Sequence, residues 1–345
     1  MQGQDRRSFL AGLGAASLLA ACAGDSRRAL TPLKREGDLI WGVNGHPFQA
    51  YPDIPLETQI RLVRELGMTH YRIGSHDEKM ARLKTIADQH GVTLLPIIHP
   101  DGPLKEKTPE QLYRDSYNRA RWRTRRYRGQ FAIWELGNEL ENHAIIKPCE
   151  MRDDGTQYPC EWGPAGGMYK LDYYGPRWKK VSASLAGLLD GAREGDPDAK
   201  YAIGTAGWGH LGAFERFVED GLEWDITIWH DYEQVRESFL ETLAGYGKPI
   251  WITEFNAGGG GFETEEDNAR MLTERIAYYR SMREKYRVDA AFIYELLDEP
   301  YWDDFEGKMG LYRVHKNDED RWEVGEPKPA GLAVMEALGA AQTPA

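Results

Sequence analysis

The chain has 345 residues, with 43 lysine and arginine residues against 55 aspartate and glutamate residues, so its formal net charge is −12. An acidic balance of this size argues against nucleic acid as a partner. The length exceeds that of most single-core domains, but a barrel of alternating strands and helices with insertions fills such a length as one domain.

The first 21 residues have the pattern of an export signal. Arg6 and Arg7 precede the apolar run 9–21, which is too short to span a bilayer as a finished helix. The arginine pair followed by Ser-Phe-Leu resembles the twin-arginine signal of bacteria. We therefore expect residues 1–21 to be removed after export, and no later segment is apolar enough to be a membrane span.

The end of this signal resembles a lipobox. Residues 19–22 read Leu-Ala-Ala-Cys, which predicts that Cys22 becomes the lipidated first residue of the mature protein. Residues 22–36 would then be anchor and linker, and 37–341 the folded domain. The alternative is an ordinary secretory signal with a chance cysteine. We expect the mature protein to face the periplasm or the outer membrane and to contact a membrane through the lipid only.

Eight apolar runs alternate with amphipathic stretches along the predicted domain. The runs are rich in Ile, Val, Leu, Trp and Tyr, and several lack polar alternation, as strands buried on both faces do. The eight candidate strands are 39–43, 69–73, 93–98, 131–136, 201–204, 225–229, 250–254 and 290–295.

Helical patterns separate these strands, and the residues at their ends mark where they begin and stop. Pro55 stands at a first-turn position and Gly67 follows the same helix as its stop signal. Thr108 and Pro109 open the third helix with a cap residue and a proline at the first position. The other helical patterns are 77–90, 174–192, 212–220, 232–246, 265–286 and 329–338.

This alternation predicts the architecture. Strands that alternate with helices over this length form a parallel sheet, and eight units predict closure into a (β/α)8 TIM barrel, an α/β fold. A doubly wound open sheet is the competing architecture. It lacks support, because no glycine-rich phosphate motif follows the first strand.

Two cysteines lie in the long loop 145–168 that follows the fourth strand. An oxidising compartment would favour a disulfide between Cys149 and Cys160, and two free buried thiols are the alternative. Because the loop follows a strand, we expect it on the catalytic face of the barrel.

Two glutamates end apolar strands whose carboxyl ends should meet at one pocket. Glu139 closes the fourth strand region and Glu254 closes the seventh. Hydrolysis of a glycosidic bond needs two carboxyl groups with different duties. One protonates the departing oxygen, and the other attacks the anomeric carbon or activates water. The two glutamates are therefore the candidate catalytic pair.

Asn138-Glu139 after strand four, together with Glu254 after strand seven, resembles the signature of the clan A retaining (β/α)8 glycoside hydrolases. The resemblance implies that Glu139 is the acid/base, Glu254 is the nucleophile and Asn138 binds the 2-hydroxyl of the sugar. It further implies a β-linked poly- or oligosaccharide substrate and no cofactor. In a retaining enzyme the two carboxyl groups should lie about 5–5.5 Å apart.

Other positions extend the resemblance over most of the mature chain. Arg72 matches the strand-two arginine that often steadies the nucleophile. His230 and Tyr232 resemble the His-x-Tyr of strand six that borders it. The run 292–299, with the later Gly-Leu-Tyr and Lys-Pro-Ala, resembles the passage from strand eight to the last helix in the family 5 and family 39 groups.

One position departs from that pattern. Many clan members end strand eight with a tryptophan that forms the floor of the central sugar subsite, whereas this chain has Tyr294. Either Tyr294 replaces the tryptophan or Trp302 reaches in from the following loop. Trp208 is a further candidate for stacking on a sugar, although core packing is the alternative for each aromatic residue. Glu135, four residues before Glu139, should lie deeper and serve a structural role.

The sequence contains no motif typical of metal-dependent or serine-hydrolase chemistry. There is no His-x-x-x-His helix, no paired Cys-x-x-Cys, no calcium loop and no Gly-x-Ser-x-Gly, so we expect no metal. The leading hypothesis is a monomeric, lipid-anchored retaining glycosidase. The alternatives are a transglycosylase, a silent sugar-binding or polysaccharide-assembly lipoprotein on the same barrel, and a barrel enzyme of unrelated chemistry such as a lyase.

Overall fold

The computed structural model describes residues 37–340 apart from 49, 52, 234–235, 258–261, 300 and 303–304. The predicted export signal, the lipidation site Cys22 and the linker 22–36 lie outside these residues. Within the described part of the chain, no helix is both long and apolar enough to cross a membrane.

Eight parallel strands close into a barrel, which confirms the predicted (β/α)8 fold. Each strand pairs with the next along the chain, and the last pairs with the first. The strands are β1 (Ile40–Gly45), β2 (His70–Gly74), β3 (Thr93–Ile98), β4 (Ile133–Leu136), β5 (Lys200–Thr205), β6 (Ile226–Asp231), β7 (Ile250–Phe255) and β8 (Val288–Ile293).

Helices follow the strands at the predicted positions, with ends that differ by a few residues. The sixth is shorter than its pattern, because the chain leaves β6 through a loop that carries Tyr232 to the barrel mouth. The helices are α1 (Leu56–Glu65), α2 (Met80–Gln89), α3 (Pro109–Arg126), α4 (Gly175–Gly195), α5 (Leu211–Glu219), α6 (Glu237–Ala244), α7 (Glu265–Tyr286) and α8 (Pro329–Ala337).

Two layers of apolar side chains hold the barrel together. Successive residues of a strand point to opposite faces, so each strand contributes to both layers. Leu94 joins the large cluster in which strands pack on helices. Leu95 joins a separate cluster with Trp251 and Phe292, whose ring centroids lie 5.9 Å apart. This second cluster packs the barrel interior, which leaves the carboxyl ends of the strands for function.

The structure also contains a feature that the sequence patterns did not predict. An antiparallel hairpin, β9 (Tyr312–Lys316) and β10 (Trp322–Pro327), lies between β8 and α8. Most of its residues are partly or fully exposed, so neither strand forms an apolar run.

Cys149 and Cys160 form a disulfide in the loop between β4 and α4, with Cα atoms 4.4 Å apart. The same loop contains two short 3₁₀ helices, Leu140–Ala144 and Lys170–Asp172. The disulfide therefore closes a short ring within a segment that packs beside the barrel mouth.

Candidate active site

A cavity of about 490 Å³ opens at the carboxyl ends of the strands. Its walls come from the ends of β1 to β4 and β7, and from the loops that follow β5, β6 and β8. Of the residues predicted from sequence, seven line it, namely Arg72, Asn138, Glu139, Trp208, Tyr232, Glu254 and Tyr294.

Glu254 lies near the end of β7 and is 7% exposed. One carboxylate oxygen, Oε1, accepts a hydrogen bond from Nη1 of Arg72 at 2.6 Å, and Oε2 accepts one from the hydroxyl of Tyr232 at 2.7 Å. Burial would raise the pKa of Glu254, but the charges of His230 and Arg72 and these hydrogen bonds lower it below its ordinary value. Glu254 is therefore held as a carboxylate.

Arg72 is buried and donates hydrogen bonds to several side chains at once. Its Nε donates to Oε2 of Glu135 at 2.7 Å, and its Nη2 also contacts Glu135. The two terminal nitrogens then donate to Oδ1 of Asn44 and Oδ1 of Asn138, each at 2.7 Å. Because the guanidinium is planar, the contact with Glu135 fixes the direction in which Arg72 meets Glu254. Glu135 has the deeper, structural position expected of it.

Asn44 was missed by the sequence analysis. It lies on β1 opposite Arg72 of β2, and its Nδ2 donates to the backbone oxygen of Thr253 at 2.8 Å. The same Nδ2 donates to the backbone oxygen of Ile293 at 3.3 Å, so the side chain joins β1, β2, β7 and β8. Its signal in the sequence is its position directly after the predicted strand 39–43, although it carries no charge and belongs to no motif.

Glu139 occupies the turn that follows β4, with a backbone φ of 49°. A non-glycine residue in the left-handed region is uncommon and costs of the order of 1 kcal/mol or more. Its carboxylate accepts a hydrogen bond from Nδ1 of His230 at 2.7 Å, and its side chain is 30% exposed. Glu139 therefore reaches the cavity from an unusual but anchored backbone position.

His230 lies between the two glutamates. Its Nδ1 is 2.7 Å from Glu139 and 3.4 Å from Oε2 of Glu254. Burial lowers the pKa of this histidine, but the charge of Glu254 and the hydrogen bond to Glu139 raise it above its ordinary value. His230 can therefore contribute a positive charge beside the carboxylate of Glu254.

The separation of the two glutamates follows from this cluster. One nitrogen of His230 and one carboxylate oxygen each from Glu139 and Glu254 all lie within 4.8 Å of one another. Paired carboxyl groups about 5–5.5 Å apart are typical of retaining glycosidases, and separations of about 6.5–9.5 Å are typical of inverting ones. The nearest carboxylate oxygens of Glu139 and Glu254 are thus no more than 4.8 Å apart.

The sequence left open whether Tyr294 or Trp302 lies at the sugar subsite after strand eight. Tyr294 directly follows β8 and lines the cavity, and its hydroxyl lies 3.3 Å from Nε2 of His46. Trp302 is 55% exposed and is not among the described residues that line the cavity. Of these two aromatic residues, Tyr294 is therefore the one that lines the cavity.

Two histidines of the cavity were also missed. His46 follows β1 and His99 follows β3. Burial, with the charges of Arg72 and Arg123, lowers the pKa of His99 to about 4, and burial lowers that of His46. Both are therefore neutral near pH 7 and can accept hydrogen bonds from hydroxyl groups. Their position directly after a strand, the signal that identified Glu139, could have identified them.

A second carboxyl pair lies beside the cavity. Glu295 is fully buried, and its Oε2 accepts a hydrogen bond from Tyr51 at 2.7 Å. Burial and the charge of Glu299 raise the pKa of Glu295 well above its ordinary value. His46, Glu295 and Glu299 place ligand atoms within 4.8 Å of one another, so among the described residues they are one group that could hold a cation. A proton on Glu295 would equally relieve the repulsion between the carboxylates of Glu295 and Glu299.

Comparison with known proteins gives structural matches only. No family model and no curated protein sequence matches the chain. The virulence factor SghA from Agrobacterium tumefaciens superposes with a TM-score of 0.59 at 12% identity, covering 89% of this chain and 98% of that one. Xylanase 10B from Thermotoga maritima superposes with a TM-score of 0.53 at 16% identity, covering 88% of this chain and 95% of that one. The endo-β-1,4-mannanase from Thermotoga petrophila superposes with a TM-score of 0.54 at 12% identity, covering 89% of this chain and 77% of that one. These similarities show a shared barrel fold.

Proposed function

We propose that the protein is a retaining glycosidase that cleaves a β-linked poly- or oligosaccharide by double displacement. The observation that carries this proposal is the unequal pair at the barrel mouth. Glu254 is held ionised by Arg72 and Tyr232, while Glu139, with an oxygen within 4.8 Å of it, is 30% exposed and accepts hydrogen bonds from His230 and, at 3.4 Å, from the amide of Asn142.

In the first step Glu254 attacks the anomeric carbon of the bound sugar. The bond between that carbon and the departing oxygen breaks, and Glu139 gives the oxygen its proton. The products are a glycosyl ester on Glu254 and a free alcohol. Because the ester carries no charge, the negative charge that faced Glu139 is gone, and Glu139 can act as a base.

In the second step Glu139 takes a proton from water, and the oxygen of that water attacks the anomeric carbon. The ester bond breaks, Glu254 becomes a carboxylate again, and the sugar leaves with the configuration that it had in the substrate. The residues at the site carry out both steps without a cofactor. Attack by a sugar hydroxyl in place of water would give transglycosylation.

Asn138 has a defined part in holding the sugar. Its Oδ1 accepts a hydrogen bond from Arg72, so its amide nitrogen remains to donate. This supports a hydrogen bond from Asn138 to the 2-hydroxyl next to the scissile bond, an interaction that strengthens in the transition state of glycosidases.

The structural matches support the same proposal without naming the substrate. Two of the proteins that share the fold are called a xylanase and an endo-β-1,4-mannanase, and the second name states a β linkage. Membership of clan A, and of a family 5 or family 39 type in particular, is part of this proposal. So are export to the bacterial cell envelope, a lipid anchor at Cys22 and a monomeric state.

The test is hydrolysis of a panel of β-linked oligosaccharides by the purified protein, followed by chromatography of the products. Glu254→Gln should abolish turnover, because an amide cannot form the ester. Glu241→Gln, on the exposed face of α6, is the matched control and should be fully active. A wild-type protein that binds these glycans but cleaves none would instead support the silent sugar-binding alternative, and unsaturated products would support a lyase.

A further inference from the structure

Three side chains with metal-binding atoms lie where β1 ends and where the chain leaves β8. His46, Glu295 and Glu299, here called the β1–β8 cluster, place one nitrogen and two carboxylate oxygens within 4.8 Å of one another. Zn²⁺ bonds such atoms at about 2.0–2.2 Å, so its ligand atoms lie up to about 4.4 Å apart. Small rotations of the side chains would therefore close the cluster around one ion.

The two glutamates of this cluster lack a cationic partner. Glu295 is fully buried and Glu299 is 7% exposed. Asp231, another buried carboxylate of the barrel, is paired with Arg275 at 2.8 Å. In the described part of the chain, by contrast, no lysine or arginine forms an ion pair with Glu295 or Glu299. Burial removes the water that stabilises a carboxylate, so an unpaired pair of this kind is costly.

Hydrogen bonds satisfy the cluster only in part. Oε2 of Glu295 accepts one from Tyr51 at 2.7 Å and lies 3.4 Å from Nε2 of His46. Glu299 accepts one from the side chain of Trp302. Oε1 of Glu295 is buried and has no hydrogen-bond partner among the described residues, which is uncommon, and a bound ion is one physical reason for it. A proton on Glu295 would remove its charge but would supply no partner for Oε1 and no cation for Glu299.

The catalytic residues form a second group of this kind, but it is a poorer cation site. Glu139, His230 and Glu254 also place ligand atoms within 4.8 Å of one another. Both oxygens of Glu254 already accept hydrogen bonds there, one from Arg72 and one from Tyr232. The guanidinium would repel an added cation at close range. The β1–β8 cluster has the unsatisfied oxygen and lacks the arginine.

We propose that the β1–β8 cluster binds a divalent transition-metal ion such as Zn²⁺, with His46, Glu295 and Glu299 as ligands. Carboxylates bind Ca²⁺ and transition metals alike, whereas an imidazole nitrogen favours a transition metal. His46 is far from the two glutamates in the sequence, so no local metal motif marks the site.

The position of the cluster gives the ion a path of entry and a role. The side chain of His46 is 33% exposed and lines the active-site cavity, from which the ion can reach the buried glutamates. Tyr294 directly precedes Glu295, and its hydroxyl lies 3.3 Å from Nε2 of His46. The ion would therefore hold in place the cavity wall that His46 and Tyr294 form.

The test is calorimetric titration of Zn²⁺ into the purified protein, after treatment with a chelator and dialysis. Wild type should bind one equivalent, and its Tm should rise with Zn²⁺, because the ion binds the folded chain only. Glu299→Gln should weaken binding at least tenfold and lose most of the rise in Tm, since it removes a charged ligand. His46→Ala, at a partly exposed position, should have the same effect.

Glu254→Gln is the matched control, because it makes the same change in the group formed by Glu139, His230 and Glu254. It should bind Zn²⁺ as tightly as wild type. In the presence of chelator the Tm of Glu299→Gln should be no lower than that of wild type, since the substitution removes an uncompensated charge. This measurement also checks that the variant is folded.

A zinc-edge anomalous difference map of the crystallised protein locates the ion. A peak bonded to Nε2 of His46 is expected, and a peak beside Glu254 would overturn the proposal. No saturable binding by wild type, or equal affinities of wild type and Glu299→Gln, would also overturn it and favour a proton on Glu295. Tighter binding of Ca²⁺ than of Zn²⁺ would contradict the class of ion. Metal binding needs no turnover, so each of these results leaves the glycosidase proposal to its own test.

Discussion

At the scale of single residues, the site depends on one guanidinium that two carboxylates share. Glu135 binds Arg72 from the interior of the barrel, and Glu254 binds it from the cavity. Removing one partner of a buried charge pair leaves the other charge uncompensated, which costs several kcal/mol. The role of Glu135 is therefore to keep Arg72 in place.

Tyr232 tunes the charge of Glu254, and removing its hydroxyl tests this. Tyr232→Phe removes a donor that favours the ionised carboxylate, so the pKa of Glu254 should rise. The acid limb of the kcat/KM profile, where Glu254 must lose its proton, should move to higher pH by about one unit. The measurement is kcat/KM against pH.

Tyr286→Phe is the control for this change, because it also removes a hydrogen bond from a tyrosine to a glutamate, here Glu237. It should leave the acid limb where it is in wild type. An acid limb that stays in place in Tyr232→Phe would show that Tyr232 does not hold Glu254 ionised.

The sequence predicted the charged residues of the site because each ends a strand or lies near its end. Glu254 ends an apolar run and Glu139 follows one, Arg72 matches the strand-two arginine of the family that the sequence resembles, and the closed barrel brings the three together. The contacts between them were not predictable in this way. That His230 bridges both glutamates, or that Asn44 joins four strands, depends on side-chain directions that strand spacing does not specify.

At the scale of elements, α3 and α4 pack in very close contact on either side of β4. Gly187 and Gly191 of α4 face the backbone of α3, and a Cβ on them would lie 2.3 and 2.1 Å from the oxygens of Tyr113 and Tyr117. The glycines therefore set the distance between the two helices that flank the strand leading to Glu139.

Gly191→Ala should push these helices apart. Overpacking of this kind costs about 1–3 kcal/mol, so we expect the Tm to fall by about 5 °C, measured by calorimetry. Gly163→Ala is the control, because a Cβ there meets nothing within 4 Å and its φ is an ordinary one. An unchanged Tm in Gly191→Ala would show that the two helices can separate without cost.

The elements themselves were predictable to different degrees. β6 and β7 are buried over their whole length and read as apolar runs in the sequence. The hairpin of β9 and β10 was missed because its residues are largely exposed and no core imposes a pattern on them. Helix ends shifted by a few residues, as at α6, which begins at Glu237 and not at residue 232.

At the scale of the whole molecule, the proposed anchor predicts where the protein resides. If Cys22 carries the lipid, Cys22→Ala should move most of the protein from the membrane fraction to the soluble fraction, because the chain then lacks its acyl groups. Its activity on glycans should match that of the wild type, since residue 22 precedes the folded domain. Fractionation followed by immunoblotting measures the distribution, and a variant that stays in the membrane fraction would contradict the lipobox.

The central claim is that Glu254 attacks the sugar and Glu139 transfers the proton. The most direct test is the configuration of the azide adduct, determined by NMR, that forms when azide rescues each alanine variant on an activated aryl β-glycoside. In Glu254→Ala, azide takes the place of the missing carboxylate and should give the α-glycosyl azide. In Glu139→Ala, azide attacks the ester on Glu254 and should give the β-glycosyl azide. The same anomer from both variants, or the β-azide from Glu254→Ala, would contradict the claim.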